Sequence, residues 1–228
     1  MNRYYFEEAI VLKYQKIKDS DLLLTLYGKT KGKYNAIAPG ALNIKNRLRG
    51  RVEPFCWGKG YFVVRRSLDL LINWETIDSY WEIRNNFEKL NLAFSIIKTI
   101  DKFVISEYSD EKIFNIIIEA LNLVKEKYIL YLREIFFLKL LQSQGLINNF
   151  SIRCDKCGKV FNDEDILRVN IYENKVFCKN CSSIGLIVSL ESIKSINNIL
   201  NHSISELKNI NIFQEICNLV KEYEKTLM

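Results

Sequence analysis

The run DLLLTLYGKTKGKYNAIAPG, residues 21–40, alternates with a period of two. Leu22, Leu24 and Leu26 point one way and Leu23, Thr25 and Tyr27 the other, as on a β-strand. Breaks fall at Gly28, Gly32 and Pro39-Gly40. The same patterning extends in both directions. Downstream, Leu68, Leu70, Ile72 and Trp74 form one face, opposite Asp69, Asn73 and Glu75. Candidate strands are 5–15, 21–28, 33–38, 51–57, 60–66 and 68–76, with further breaks at Gly50, Gly58 and Gly60. Five or six short strands in 80 residues, with no stretch of helical period, predict a small closed barrel. The oligonucleotide-binding (OB) barrel is one such fold.

At Ser79 the period changes. Ser79 and Glu82 fit a capping box, and Phe87, Leu90, Phe94 and Ile97 then recur at helical spacing. A second helix is predicted from Asp110, with Ile113, Ile116, Ile117, Ala120, Leu121 and Val124 on one face. A third, over 128–144, is apolar almost all round and therefore central, and Gly145 is its natural stop. Two more are predicted over 189–201 and 204–226, the last with a second capping box at Ser203 and Glu206. The expected fold class is α+β: an OB-fold-like barrel over residues 1–80, then an all-helical domain over 81–228 carrying a cysteine-rich insert at 151–182.

The net charge of +6 lies wholly in the barrel half. Residues 1–80 hold 14 Lys+Arg against 8 Asp+Glu, and residues 81–228 hold 19 of each. No acid occurs between Asp21 and Glu53, where Lys29, Lys31, Lys33, Lys45, Arg47, Arg49 and Arg51 fall. Biased composition would spread lysine evenly and would not favour arginine at 47, 49 and 51. A one-sign patch on a chain neutral elsewhere is the footprint of a polyanion site, and nucleic acid is the commonest polyanion. Arg65 and Arg66 are weaker candidates on a strand. Trp57, Trp74 and Trp81 cluster near the end of this half, and Tyr27, Tyr34, Tyr61 and Phe62 lie on candidate strands. Core filling is the default reading of each ring. Tyr27 and Tyr34, beside the lysines, are the better candidates for stacking on bases.

Cys154, Cys157, Cys178 and Cys181 have the spacing C-x2-C-x20-C-x2-C. Two such turns aim four thiolates at one tetrahedral ion, with a hairpin between them around Glu173-Asn174. The pattern predicts a zinc ribbon whose Zn2+ is structural, because four protein ligands leave no position for a reacting water. Cys56 and Cys217 read as ordinary buried thiols.

Other chemistry is sparse. The lone histidine, His202, reads as a surface or capping residue and has no histidine partner. Gly28-Lys29-Thr30 resembles the end of a P-loop, but Leu23 stands where that motif needs glycine. Glu7-Glu8 and Asp19/Asp21 are the acids a metal-dependent nuclease would need; Asp163-Glu164-Asp165 reads as a solvated tip. The longest apolar run, Tyr128 to Leu141, carries Arg133, Glu134 and Lys139, so it is no membrane span. The N-terminus lacks the pattern of a signal peptide. A cytoplasmic, nucleoid-associated protein is expected, with its thiols reduced.

Several fragments in order carry a family resemblance: Glu8-Ala9-Ile10-Val11-Leu12, Ser20-Asp21, Leu24-Thr25-Leu26, Gly32-Lys33, Ala38-Pro39-Gly40-Ala41, Leu48-Arg49-Gly50 and Glu53-Pro54-Phe55. Together with the helical half and the four cysteines, the chain resembles the RecO family of bacterial DNA repair proteins. The resemblance implies a non-enzymatic recombination mediator. Such a protein binds single- and double-stranded DNA, anneals complementary strands and works with RecR. It helps load RecA onto strands covered by single-stranded-DNA-binding protein, whose acidic C-terminal tail it contacts. One departure is that the basic residues come slightly later than the family's basic loop, at 45–51. The competing reading is a metal-dependent nuclease or nucleic-acid-modifying enzyme that uses the barrel to hold substrate.

Overall fold

The computed structural model describes residues 3–104, 109–127, 129–207 and 212–227. It divides into two compact units, Met1–Tyr128 and Ile129–Met228. The boundary falls well beyond residue 80, where the composition changes. The reason is that the first helices pack on the barrel: Lys33 reaches the Asp101 carbonyl, Tyr27 the Asp110 carbonyl, and Phe55 meets Phe94 edge-on with ring centres 4.8 Å apart.

The first unit opens with five strands: β1 (Tyr4–Lys16), β2 (Leu22–Gly28), β3 (Gly32–Ala38), β4 (Trp57–Val63) and β5 (Asp69–Asp78). They close in the order β1-β2-β3-β5-β4, with β3 parallel to β5 and every other pair antiparallel. Leu22, Leu24 and Leu26 face inward, as their alternation predicted, with Ala9, Val11, Phe62, Leu71 and Trp74. On β5 the expected face of Leu68, Leu70, Ile72 and Trp74 breaks at a register shift that buries Leu71 and exposes Ile72. Closure leaves no free sheet edge, but the β3–β5 seam holds by only two residue pairs, Ala36 with Asp69 and Ile37 with Leu70.

The predicted strand at 51–57 is absent. Its apolar residues Val52, Phe55 and Cys56 are buried, but on turns. Phe55 sits at φ 74°. The segment's backbone bonds to the barrel are made at Val11, where the Phe55 N–H donates to the Val11 carbonyl and the Val11 N–H to the Cys56 carbonyl. Val11 lies at the bulge of β1. Burial, which alternation registers, was satisfied without a ladder.

Helices α1 (Trp81–Arg84), α2 (Phe87–Phe103) and α3 (Glu111–Glu126) complete the unit. The Ser79–Glu82 capping box does not form. Tyr80, in the left-handed region, precedes α1, and the effective cap is Asn86, whose side chain accepts the Lys89 N–H. The buried face of α2 runs through Ala93, Ile96, Ile97 and Ile100, whereas Phe87 is exposed. Asp110 caps α3 as predicted, and Phe114 replaces Ile116 on its buried face.

In the second unit α4 (Leu132–Ser143) is the central helix, with Leu132, Ile135, Phe136, Phe137, Leu138, Leu140 and Leu141 buried. Gly145 follows at φ 73°, and its N–H donates to Gln142. The predicted start at 128 lies outside the described residues. The cysteine insert carries β6 (Leu167–Asn170) and β7 (Lys175–Cys178), and β8 (Leu186–Val188), beyond its predicted end at 182, completes a sheet in the order β7-β6-β8. Helix α5 (Leu190–Asn201) begins at Ser189. Glu215 of α6 (Gln214–Thr226) accepts from the Ser189 N–H and hydroxyl and from the Ser192 hydroxyl. The helix expected over 204–226 is in fact a 3-10 turn at Ile204–Glu206, with the Ser203–Glu206 capping box present, followed by α6; residues 208–211 of that prediction lie outside the described residues. Among the described residues no helix is long and apolar enough to cross a membrane.

Candidate nucleic-acid interface and metal centre

The seven clustered bases separate into two groups. Lys29, Lys31 and Lys33 sit on the β2–β3 hairpin, and each has an acid. Lys29 pairs with Glu111 at 3.2 Å, and that hydrogen bond raises its pKa. Lys31 pairs with Asp69 at 3.3 Å and lies 3.7 Å over the Tyr5 ring. Lys33 is largely buried, donating to the Asp101 carbonyl at 2.7 Å; burial pushes its pKa down against the pull of Asp101. The hairpin lysines are therefore neutralised from α2, α3 and β5. These acids lie 38 to 82 residues away in sequence, so no local signal marked them.

Glu7 fixes this hairpin. The alternation of β1 turns Glu7 inward, where it is buried and accepts the Thr30 N–H at 2.6 Å, the Thr30 hydroxyl at 2.5 Å and the Lys31 N–H at 3.2 Å. Gly28 is required beside it, because a Cβ there would lie 2.5 Å from Glu7 Oε1. Glu7→Ala should orphan two N–H groups and cost the first unit about 3 kcal/mol. Chemical denaturation followed by tryptophan fluorescence checks this, since Trp57, Trp74 and Trp81 all lie in that unit. Glu7→Gln, which keeps an acceptor, should lose less.

Lys45, Arg47, Arg49 and Arg51 are different. They ride on the connection between β3 and β4, residues 39–56, and all four side chains are exposed. Lys45, Arg47 and Arg51 meet no acid among the described residues, and Arg49 donates only to the Leu42 carbonyl. The connection itself is firmly held. Gly40 N–H donates to Asp21, Leu42 N–H to the Ser20 carbonyl and Asn46 to the Pro39 carbonyl. Ala41, Leu48 and Val52 anchor it in the barrel core. Cationic heads are thus presented to solvent from an ordered backbone.

Of the better stacking candidates, Tyr27 is fully buried, and Tyr34, partly buried against the barrel core, is covered by Lys31 and set edge-on against Phe62. Burial raises the Tyr34 pKa well above its usual value. A cleft of about 440 Å³ opens at the weak β3–β5 seam, lined by Lys31, Lys33, Tyr34 and Asp69 among others. Trp74 is buried, and Trp57 donates to Glu8 at 3.0 Å. Arg65 and Arg66 lie on the β4–β5 turn and not on a strand. Three of the four acids a nuclease would need are engaged elsewhere, Glu7 with the hairpin, Glu8 with Trp57 and Asp21 with Gly40, and the fourth, Asp19, is exposed.

Cys154, Cys157, Cys178 and Cys181 converge, their Sγ atoms all within 4.8 Å of one another, and they are the one such cluster of possible metal ligands among the described residues. The Cys157 and Cys178 sulfurs are 3.9 Å apart. Thiolates held about 2.3 Å from a tetrahedral ion stand about 3.8 Å apart, so the spacing suits a metal and not a disulfide. Each knuckle is a hydrogen-bonded turn: Gly158 N–H donates to Cys154, and Cys181 N–H to the Cys178 carbonyl. Burial pushes the Cys154 thiol up, but N–H groups of Cys178, Cys157 and Lys156 outweigh it and hold the thiol at about 6. Hydrogen bonds to Cys157 and Cys178 push Cys181 up to about 12. The predicted hairpin is β6–β7, turning through Asn174 at φ 54°. His202 caps α5, its ring 2.9 Å from the Asn198 carbonyl, and Cys56 and Cys217 are buried.

Residues 1–80 match the family profile described as Recombination protein O N terminal. DNA repair protein RecO of Syntrophus aciditrophicus is 30% identical over 180 residues, 76% of this chain and 68% of the relative. The chain belongs to the RecO family. RecO of Alkaliphilus metalliredigens is 24% identical over 225 residues, covering 95% of this chain and 90% of its own length. RecO of Desulforamulus reducens is 28% identical over 181 residues, covering 79% and 70%. The RecO match thus extends beyond the barrel to the helical and cysteine-bearing half, and the relatives are named as DNA repair proteins.

Proposed function

We propose that this chain is a non-enzymatic DNA repair and recombination mediator. It binds single- and double-stranded DNA, anneals complementary strands and, with RecR, assists loading of RecA onto strands covered by single-stranded-DNA-binding protein. The observation that carries the reading is the ordered 39–56 connection of an OB-like barrel, whose four cationic side chains have no acidic partner among the described residues, in a chain of the RecO family. Lys45, Arg47, Arg49 and Arg51 hold phosphates. Lys29, Lys31 and Lys33 join them only by exchanging Glu111, Asp69 and Asp101 for phosphate. Phosphate contacts give affinity without sequence preference, which suits a protein acting anywhere in a genome. Neutralising two strands at once lowers their repulsion and favours annealing. The four cysteines hold one structural Zn2+, which organises the insert and leaves no position for a reacting water. The acidic tail of the single-stranded-DNA-binding protein is a further partner, and the working place is the nucleoid.

The test is a strand-annealing assay with Mg2+ and complementary oligonucleotides, one labelled and precoated with single-stranded-DNA-binding protein. Annealed duplex should accumulate with the labelled strand at full length. Shortened strands that disappear on chelation would replace this reading with the nuclease one.

A further inference from the structure

The outer face of the β1–β4 pair carries exposed rings. Tyr4 and Phe6 share that face on β1, and Tyr61, paired with Phe6 across the sheet, lies between them. The Tyr4 and Tyr61 rings are stacked, 5.6 Å apart at 12°, and the Phe6 and Tyr61 rings are 4.6 Å apart at 31°. Phe6 is 76% exposed and Tyr4 46%. Neither ring is needed to fill the barrel, whose core on these strands is made by Ala9, Val11 and Phe62.

Charge brackets the strip unequally. At the Tyr4 end, the Arg3 carbonyl accepts the Val64 N–H, which brings Arg3 beside the turn that carries Arg65 and Arg66. All three arginines are exposed, and none forms an ion pair among the described residues. At the other end Lys59 stands across from Glu8 on β1 and Glu75 on β5, so positive potential there is cancelled. A ligand that stacks on the rings and extends toward the arginines must have flat apolar groups joined by negative charge.

We propose that this strip is a base-stacking subsite for single-stranded DNA, with Phe6 and Tyr4 under unpaired bases and Arg3, Arg65 and Arg66 on the adjoining phosphates. The inference rests on the DNA-binding reading above and names a surface separate from the 39–56 connection. Duplex DNA keeps its bases stacked internally, so the rings discriminate single strands from double strands, whereas the phosphate-binding connection does not.

The experiment measures fluorescence anisotropy of a labelled oligothymidylate and of a duplex of equal length against the full chain, its Phe6→Ala and Phe6→Trp variants, and Arg3→Ala/Arg65→Ala/Arg66→Ala. Phe6→Ala should weaken single-strand binding roughly 5- to 100-fold and leave the duplex within about twofold. Phe6→Trp should restore single-strand binding. The triple arginine variant should shrink the single-strand salt slope by roughly 2. If Phe6→Ala binds the oligothymidylate like the parent, or loses both DNAs equally, the strip is not a stacking site for single-stranded DNA. If the parent binds neither DNA, the functional reading itself falls, and this subsite with it.

Discussion

Replacing Lys45, Arg47, Arg49 and Arg51 by alanine should lower affinity for a single-stranded oligonucleotide by about three decades at 50 mM salt. The size follows from counterion release. Each phosphate neutralised on a single strand contributes about 0.7 to the slope of log K against log salt, so four contacts contribute about 2.8. Extrapolated from 1 M, where this term vanishes, to 50 mM, that slope is worth between three and four decades. The loss should be the same for all sequences, because phosphate carries none of the base information. Fold stability should not change, since these side chains are exposed and the anchors Ala41, Leu48 and Val52 remain. A salt titration of parent and variant checks both the intercept and the slope. Parent-like binding with a parent-like slope would show that these cations are merely solvated and would shift the burden to Lys29, Lys31 and Lys33.

The split between those two groups shows where sequence reading reached and where it stopped. Alternation found every strand of the barrel, because a period of two records which side chains face the core and β1 to β5 are half-buried ladders. It also proposed a strand at 51–57, since burial on turns leaves the same trace as burial on a ladder. The cysteine spacing was legible because both knuckles are local turns and the hairpin between them is short. The fate of the lysines was not legible. Lys33 faces out of the barrel, where alternation predicts solvent, but it meets Asp101 of α2. The same limit applies to Tyr27 and Tyr34. Their position beside lysines suggested an exposed surface, yet each ring fills space against elements distant in sequence. Phe6 was passed over because it ends the short aromatic run Tyr4-Tyr5-Phe6, in which nothing local says which ring faces out. Only the inward turn of Glu7 shows that its neighbour must point outward.

Cys157→Ser should abolish stoichiometric zinc and unfold the insert over 151–182 while the first unit stays folded. Cys157 is exposed, so the substitution opens no cavity, and what it removes is a ligand. The insert has little else to hold it. It contributes two short strands, β6 and β7, to a sheet completed by β8 outside it, with Leu167, Val169 and Val176 among its few buried apolar residues. Metal binding in small zinc domains supplies about 10–16 kcal/mol, and loss of one thiolate from four forfeits much of it. The helices α4, α5 and α6 keep their own apolar faces, so unfolding should stop at the insert. Three measurements separate these effects: zinc content, hydrogen exchange over 151–182, and the tryptophan-monitored transition, which reports on the first unit alone because Trp57, Trp74 and Trp81 all lie there. The first should fall below one per chain, the second should lose protection, and the third should not move. DNA affinity should change by less than about twofold, because the cluster of Lys45, Arg47, Arg49 and Arg51 is on the first unit. A parent that is metal-free with all four thiols reactive in the native state would overturn the metal assignment. If DNA binding instead vanished in Cys157→Ser and survived loss of the four cations, the phosphate site would belong to the insert. Lys159 and Lys175 there are paired with Asp165 and Glu173, so Lys156 and Lys179 would be the residues to replace next.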